Sequence, residues 1–123
     1  MLEQAQRAAG NAYVPYSNFR VGAAIRASSG AIYTGCNVEN ASYGLTICAE
    51  RVACATALAA GERSFDSIAI WVDAPDGQPC GACRQFLREF GARLDVVYLR
   101  NGAPVLTTIE QLLPDSFEPS SLP

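Results

Sequence analysis

Two short segments of the chain carry residue types that bind metals and move protons. Cys80 and Cys83 are separated by two residues, and a third cysteine, Cys48, lies 32 positions before the first of them. A cysteine pair with this spacing can direct both sulfurs to one point, and Cys48 would complete a set of three. Catalytic zinc is typically held by three protein ligands, with a fourth position left for water. We therefore predict a zinc site formed by Cys48, Cys80 and Cys83.

Glu50 and Arg51 follow the first of these cysteines and would lie beside the metal. Zinc lowers the pKa of a bound water, and a nearby carboxylate can take up and return the proton. Three thiolates leave the metal with a net negative charge, which weakens it as a Lewis acid. We expect the Arg51 guanidinium to hydrogen-bond a ligand sulfur and offset that charge. Glu50 is therefore predicted to be catalytic and Arg51 to support the metal site.

Two other interpretations of the cysteines stay open at this point. Cysteine is among the most buried residue types, so all of them could belong to the core. A structural zinc site would need a fourth ligand, which only Cys36 or Cys54 could supply. We expect both of these in the core. A closed site would also leave Glu50 without a role.

The composition excludes several kinds of function. The chain has no histidine, which rules out a histidine base, a histidine ligand and a Ser-His-Asp triad. Its net charge is −3, and its nine basic residues are all arginines that form no cluster along the chain. Because binding of a nucleic-acid polymer usually needs a basic patch, we expect no such partner. No apolar run is long enough for a membrane span. An odd number of cysteines and no apparent signal peptide favour a reducing compartment, and we expect a cytoplasmic protein.

The elements that hold these residues are predicted from hydrophobic patterns and turn residues. We expect one domain over residues 1–123, with a Ser- and Pro-rich tail at 116–123 that is loose or docks on a neighbouring subunit. Asn101-Gly102 predicts a tight hairpin before an edge strand. Predicted helices cover 2–12, 46–60, 79–90 and 108–113, and predicted strands cover 19–27, 31–38, 67–72, 95–99 and 104–106. This order predicts an α/β fold of three layers, α/β/α, around a mixed sheet of roughly five strands.

The two cysteine segments resemble the signature of the zinc-dependent deaminases. Cys48 stands where the first ligand is usually histidine, and this three-cysteine variant is similar to the homotetrameric cytidine deaminases. Residues 16–24 resemble the first-strand motif of that family, although Arg20 stands where many members have proline. Residues 37–44 resemble its ribose-recognition segment. The resemblance covers nearly the whole chain and implies one Zn²⁺ per subunit, a cytidine deaminase-like fold and a homotetramer.

The resemblance also implies a substrate site. Asn37 and Glu39 would hydrogen-bond the ribose hydroxyls, since an amide and a carboxylate together offer donors and acceptors. The Ala49 backbone N–H and the Glu50 carboxylate would contact the pyrimidine, and Phe19 would line the pocket.

Two further aromatic residues are implied to act across subunit interfaces. Phe117 would stack on the base in a neighbouring subunit's site, and Tyr43 would contribute across an interface. A lone aromatic in a Pro-rich tail can equally be a docking residue.

The implied activity is hydrolytic deamination of free cytidine, and of deoxycytidine, to uridine and ammonia in pyrimidine salvage. A zinc-activated water would attack the ring carbon that bears the amine, while Glu50 carries protons. A related deaminase of small aminopyrimidines, similar to blasticidin-S deaminase, remains the alternative. A polynucleotide-editing deaminase is disfavoured by the acidic balance, and a non-catalytic zinc-stabilised interaction domain is disfavoured by Glu50.

Overall fold

The structure, a computed structural model, describes residues 1–123 and contains one mixed sheet of five strands. The strands are β1 (Val21–Ala27), β2 (Ile32–Cys36), β3 (Phe65–Val72), β4 (Asp95–Arg100) and β5 (Ala103–Thr108). They lie in the order β2-β1-β3-β4-β5. Only β3 and β4 are parallel, and the other neighbours are antiparallel. The predicted mixed five-stranded sheet, including the hairpin at Asn101-Gly102, is confirmed.

The helices are α1 (Leu2–Ala9), α2 (Ala49–Ala59), α3 (Gly81–Arg88) and α4 (Ile109–Leu112), with short 3-10 turns at Tyr43–Leu45 and Pro119–Ser121. Each predicted helix is present but shorter than expected. The two helices that follow the metal-binding segments begin directly after a cysteine, because Cys48 and Cys80 are their N-cap residues. None of the helices has the length and apolar content that crossing a membrane requires.

Two glycines show that α1 and α2 cover opposite faces of the sheet. Gly35 on β2 lies opposite Ala23 on β1, so the adjacent Gly22 points to the other face. A Cβ on Gly22 would lie 1.8 Å from the carbonyl oxygen of Ala5 in α1. A Cβ on Gly35 would lie 2.4 Å from the backbone nitrogen of Ala53 in α2. Both helices therefore pack directly on the backbone of the sheet, which gives the three expected layers.

The larger part of the hydrophobic core lies on the face of the sheet that α2 covers. Ile25 of β1 and Ile68 of β3 face each other there and are fully buried. Burying an isoleucine side chain stabilises the fold by about 1.5–3 kcal/mol. Cys54 is also fully buried in this core, as expected, whereas Cys36 at the end of β2 is only half-buried.

Arg20, which stands where many family members have proline, stabilises the end of α1. Its Nη1 donates to the carbonyl oxygens of Ala9, Gly10 and Ala12 at 3.4, 3.2 and 3.1 Å. The last carbonyls of a helix have no partner within it, and a guanidinium satisfies them well. The segment after Ala9 therefore turns towards Arg20 instead of continuing the helix to residue 12.

The Ser- and Pro-rich tail lies along α3 of its own chain. Arg88 donates to the Ser116 hydroxyl at 2.8 Å and forms an ion pair with Glu118. Gln85 donates from its side chain to the Phe117 carbonyl at 2.9 Å. The tail is held in this way because α3 presents side chains that bind it, and its docking on a neighbouring subunit stays a prediction.

Candidate active site

The three predicted metal ligands come together where α2 and α3 begin. Cys48 and Cys80 are N-caps and Cys83 lies in the first turn of α3, and their sulfurs all lie within 4.8 Å of one another. Zinc–sulfur bonds of about 2.3 Å place the sulfurs of a tetrahedral site about 3.8 Å apart. The donor set therefore fits one zinc ion per chain. Cys36 and Cys54 are not part of this group, so a closed site of four cysteines is not formed.

The surroundings of Cys48 favour the thiolate, which is the form that binds zinc. A hydrogen bond with the Cys83 thiol lowers the pKa of Cys48 to about 5, and Arg51 acts in the same direction. Arg51 donates from Nη2 to the Cys48 sulfur and to the Thr46 carbonyl oxygen, both at 3.5 Å. The structure thus places the guanidinium against a ligand sulfur.

The Glu50 carboxyl lies in the first turn of α2 with only 4% of the residue exposed. Burial raises the pKa of this carboxyl, and the nearby Cys48 charge raises it further. A carboxyl in such surroundings is better able to hold a proton near neutral pH than an exposed one, which suits a group that accepts and returns protons.

Several residues of this site line a pocket of about 240 Å³. Cys48, Cys80 and Glu50 contribute to its lining together with the Ala49 backbone. Its apolar wall comes from the sheet and the segment before it, through Phe19, Val21, Ile70 and Val72. The pocket therefore combines a metal-binding end with a wall on which a flat apolar surface can pack.

Comparison with known proteins decides the family. Residues 1–99 match the family model described as the cytidine and deoxycytidylate deaminase zinc-binding region. The chain belongs to this family. A cytidine deaminase from Sporosarcina psychrophila is 45% identical, over 99% of this chain and 92% of the relative. A probable cytidine deaminase from Dictyostelium discoideum is also 45% identical, over 98% and 84% of the two chains.

Solved structures of the family share the fold. The crystal structure of a cytidine deaminase from Burkholderia pseudomallei superposes with a TM-score of 0.90 at 49% identity, covering 94% of this chain and 95% of that one. A cytidine deaminase from Mycobacterium leprae gives a TM-score of 0.84 at 39% identity, covering 94% and 95%. The cytidine deaminase fold and the zinc-binding family thus apply to nearly the whole chain.

Asn37 lies in the same deaminase pocket, but both ends of its side chain already contact the main chain of a neighbouring segment. Its Nδ2 donates to the Phe19 carbonyl at 2.8 Å, and its Oδ1 accepts from the Val21 N–H at 3.0 Å. The residue is 8% exposed. The Nδ2 and Oδ1 atoms each retain one further hydrogen-bonding position, so Asn37 can still contact a ribose hydroxyl.

Glu39 lines a second depression of about 260 Å³ rather than the main pocket. Thr46 lines both, so the two are neighbours. The Glu39 carboxylate accepts hydrogen bonds from the backbone N–H groups of Tyr16 and Ser17 at 3.0 and 3.2 Å, and from the Ser17 hydroxyl. The Ser17 hydroxyl contributes most to lowering the pKa of the Glu39 carboxyl. Glu39 is therefore held as a carboxylate in the depression beside the pocket.

Tyr43 and Phe117 lie outside the main pocket of their own chain. Tyr43 is 74% exposed, and its ring meets the Tyr16 ring edge-on with 5.8 Å between the ring centroids. Phe117 is 58% exposed. Tyr43 lines the second depression together with Glu39, whereas Phe117 lines neither depression.

Sequence reasoning missed the loop between β3 and α3. Asp76, Gly77 and Gln78 of this loop line the pocket. Asp76 accepts from the Asn101 N–H at 2.9 Å, and Gly77 donates to the Leu99 carbonyl at 2.8 Å, which ties the loop to the β4–β5 hairpin. The position of this loop just before Cys80 was the signal in the sequence that could have identified it as part of the pocket.

Arg84 secures the start of α3, one residue beyond the last metal-binding cysteine. Its Nε donates to the Pro79 carbonyl at 2.8 Å and its Nη1 to the Leu112 carbonyl at 2.9 Å. Arg84 therefore connects the segment that carries Cys80 to α4.

Proposed function

We propose that the protein hydrolyses free cytidine, and deoxycytidine, to uridine and ammonia. The observation that carries this proposal is that three cysteine sulfurs lie together and one buried carboxyl, Glu50, lines the same pocket as two of these cysteines, Cys48 and Cys80. A metal site that only stabilises the fold gives no reason for an adjacent buried carboxyl. Family membership supports the same reaction.

The chain's own residues have distinct tasks in this reaction. Cys48, Cys80 and Cys83 would hold the zinc ion, which when bound would supply an activated water as the nucleophile. Glu50 protonates the ring nitrogen next to the carbon that is attacked, and then carries a proton to the departing amine. The Ala49 N–H, in the first turn of α2 where backbone N–H groups have no intrahelical partner, donates to the pyrimidine. Phe19 packs against the ring.

The charges around the pocket support a free nucleoside as substrate. Acidic side chains, Glu50 and Asp76, line the main pocket, and Glu39 lines the neighbouring depression. Neither depression is lined by an arginine, and the chain contains no lysine. A 5′-phosphate would therefore meet like charges without a cationic partner. Asn37 and Glu39 offer hydrogen-bonding positions for the ribose hydroxyls instead.

The functional assembly is proposed to be a homotetramer with sites shared between subunits. Large apolar residues are exposed on the segments beside the pocket, including Tyr13, Tyr43, Leu45 and Ile47. Contiguous exposed apolar surface beside a site is typical of a protein–protein interface. Burial of Tyr43 and Phe117 against a second copy would bring both rings, which do not line the main pocket of their own chain, near a neighbour's site.

The remaining proposals concern the setting of the protein. We infer that residues 1–123 act as a single domain, because one sheet connects all the strands. None of the five cysteines forms a disulfide, which agrees with a reducing compartment and a cytoplasmic location. Production of uridine from cytidine would place the enzyme in pyrimidine salvage.

The experiment that tests the proposed reaction compares the wild type with Glu50→Gln. Purified proteins are loaded with zinc, their zinc content is measured, and the loss of cytidine absorbance is followed. We expect uridine from the wild type and a loss of at least about 100-fold in kcat for Glu50→Gln, with zinc retained. Glu3→Gln, at an exposed position on α1, is the matched control. A zinc-loaded wild type that releases no uridine would refute the assignment, and blasticidin-type aminopyrimidines would then be the substrates to assay.

The shared site is tested by complementation. Glu50→Gln removes the proton carrier, and Phe117→Ala removes the ring proposed to complete a neighbour's site. If sites are shared, a co-expressed mixture forms sites that combine an intact Glu50 with an intact Phe117, and its activity exceeds the mean of the two variants. Activity equal to that mean, or a monomer by light scattering, would contradict the shared site.

A further inference from the structure

The backbone of Phe19 is held by two side chains rather than by a β-ladder. The Asn37 side chain donates to its carbonyl at 2.8 Å, and its N–H donates to the Ser17 hydroxyl oxygen at 3.0 Å. Phe19 precedes β1, which begins at Val21. The position of its ring in the pocket therefore depends on these two contacts more than on the sheet.

The turn before Phe19 needs such support. Asn18 has a φ of 55°, in the left-handed region that non-glycine residues adopt at some energetic cost. Ser17 reaches across this residue to the Phe19 N–H. A left-handed residue at this point turns the chain so that Phe19 faces the pocket, and the hydroxyl contact keeps the turn closed.

The Ser17 hydroxyl is itself oriented by Glu39. A serine hydroxyl has one proton and two lone pairs. Its proton goes to the Glu39 carboxylate, so a lone pair is directed at the Phe19 N–H. The Ser17 backbone N–H donates to the same carboxylate at 3.2 Å. Glu39, Ser17 and Phe19 thus form a short chain of hydrogen bonds from the second depression to the wall of the main pocket.

We propose that Ser17 is a positioning residue that holds Phe19 in place for the pyrimidine, with Glu39 as its anchor. This inference rests on the proposed function, because it concerns how the same pocket binds its nucleoside. Ser17 lines the second depression but not the main pocket, and it is not part of the cysteine group. Its removal therefore affects the wall of the pocket without altering the proton carrier or the metal ligands.

The expected kinetic signature is a change in KM. Packing of the pyrimidine on Phe19 acts in the ground state and in the transition state alike, so its loss raises KM and leaves kcat nearly unchanged. We expect Ser17→Ala to raise KM for cytidine about tenfold, with kcat within about twofold of the wild type, because the hydrogen bond that is lost is coupled to a charged group. The inhibition constant of the product uridine should rise in parallel.

Two further variants make the comparison specific. Ser17→Thr keeps a hydroxyl at an exposed position and should restore KM to within about twofold of the wild type. Ser28→Ala is the matched control, because the Ser28 hydroxyl also donates to a carboxylate, that of Asp66, at 3.0 Å, and neither residue lines the pocket. It should leave KM unchanged. Zinc content and thermal midpoints are measured on all variants.

A double-mutant cycle with Phe19→Leu tests whether Ser17 acts through Phe19. If it does, Ser17→Ala adds little to KM once the ring is absent, and the two effects are strongly non-additive. Additive effects, an unchanged KM in Ser17→Ala, or a failure of Ser17→Thr to restore KM would each overturn the role of Ser17 while leaving the deaminase assignment intact. A zinc-loaded wild type that does not deaminate cytidine would overturn both.

Discussion

The Nη2 atom of Arg51 lies 3.5 Å from the sulfur of Cys48, and both residues belong to the first turn of α2 and its N-cap. The Nε of the same guanidinium is buried and has no hydrogen-bond partner. An unpartnered buried donor is unfavourable, so the contacts of Nη2 with the Cys48 sulfur and the Thr46 carbonyl must offset it. The relationship implies that Arg51 stabilises the negatively charged ligand set.

Replacement of Arg51 by alanine should weaken zinc binding. Loss of a residue that hydrogen-bonds a metal ligand typically costs about 10–100-fold in affinity or activity. The dissociation constant for zinc, measured by competition with a chromophoric chelator, is expected to rise by about that factor. Arg63→Ala serves as control, since Arg63 bonds only carbonyl oxygens near the end of α2. Unchanged zinc affinity in Arg51→Ala would show that the contact has no role in holding the metal.

Removal of zinc should destabilise the fold. A zinc ion held by the three cysteines would connect the start of α2 with the start of α3. A ligand that binds only the folded state stabilises it by about 2.7 kcal/mol at a hundredfold excess over its dissociation constant. A chelator should therefore lower the thermal midpoint by roughly 10 °C. Zinc should restore it and magnesium should not, because magnesium prefers oxygen ligands. An identical midpoint with and without chelator would mean that the three sulfurs do not bind zinc in solution.

Gly35→Ala should destabilise the protein strongly. The added Cβ would lie 2.4 Å from the Ala53 backbone nitrogen, and neither backbone can move without disturbing the sheet or α2. Overpacking of this kind costs about 1–3 kcal/mol or more. Urea unfolding monitors the change, and Gly44→Ala is the control because nothing lies within 4 Å of its added Cβ. Equal stability of the two variants would contradict the close packing of α2 on β2.

Arg20→Ala should reduce stability by about 1–2 kcal/mol, because the carbonyl oxygens of Gly10 and Ala12 lose their guanidinium donor and that of Ala9 keeps only the Ala12 N–H. The matched control is Arg26→Ala, which removes an exposed arginine within β1. Both are compared by urea unfolding. If Arg20→Ala lowers the free energy of unfolding no more than Arg26→Ala does, water replaces the guanidinium at no cost in stability.

The ligand set, Glu50 and the order of the elements could be predicted from the sequence because each depends on local features. Cys80 and Cys83 are close in the chain, and Cys48 and Glu50 share one helix start, so their spacing indicates their chemistry directly. Strand and helix patterns, and the Asn101-Gly102 turn, are equally local. Family resemblance added roles for the substrate residues, which remain predictions.

Only the tertiary structure decided how the pocket is completed. The contacts of Asn37 with Phe19, of Glu39 with Ser17 and of Asp76 with Asn101 join residues 18, 22 and 25 positions apart. The role of Arg20 likewise depends on a tertiary contact, between the end of α1 and the segment just before β1. The sequence by itself determined the chemistry of the metal site, whereas these contacts depend on how strands and loops are arranged in space, which no periodic pattern along the chain encodes.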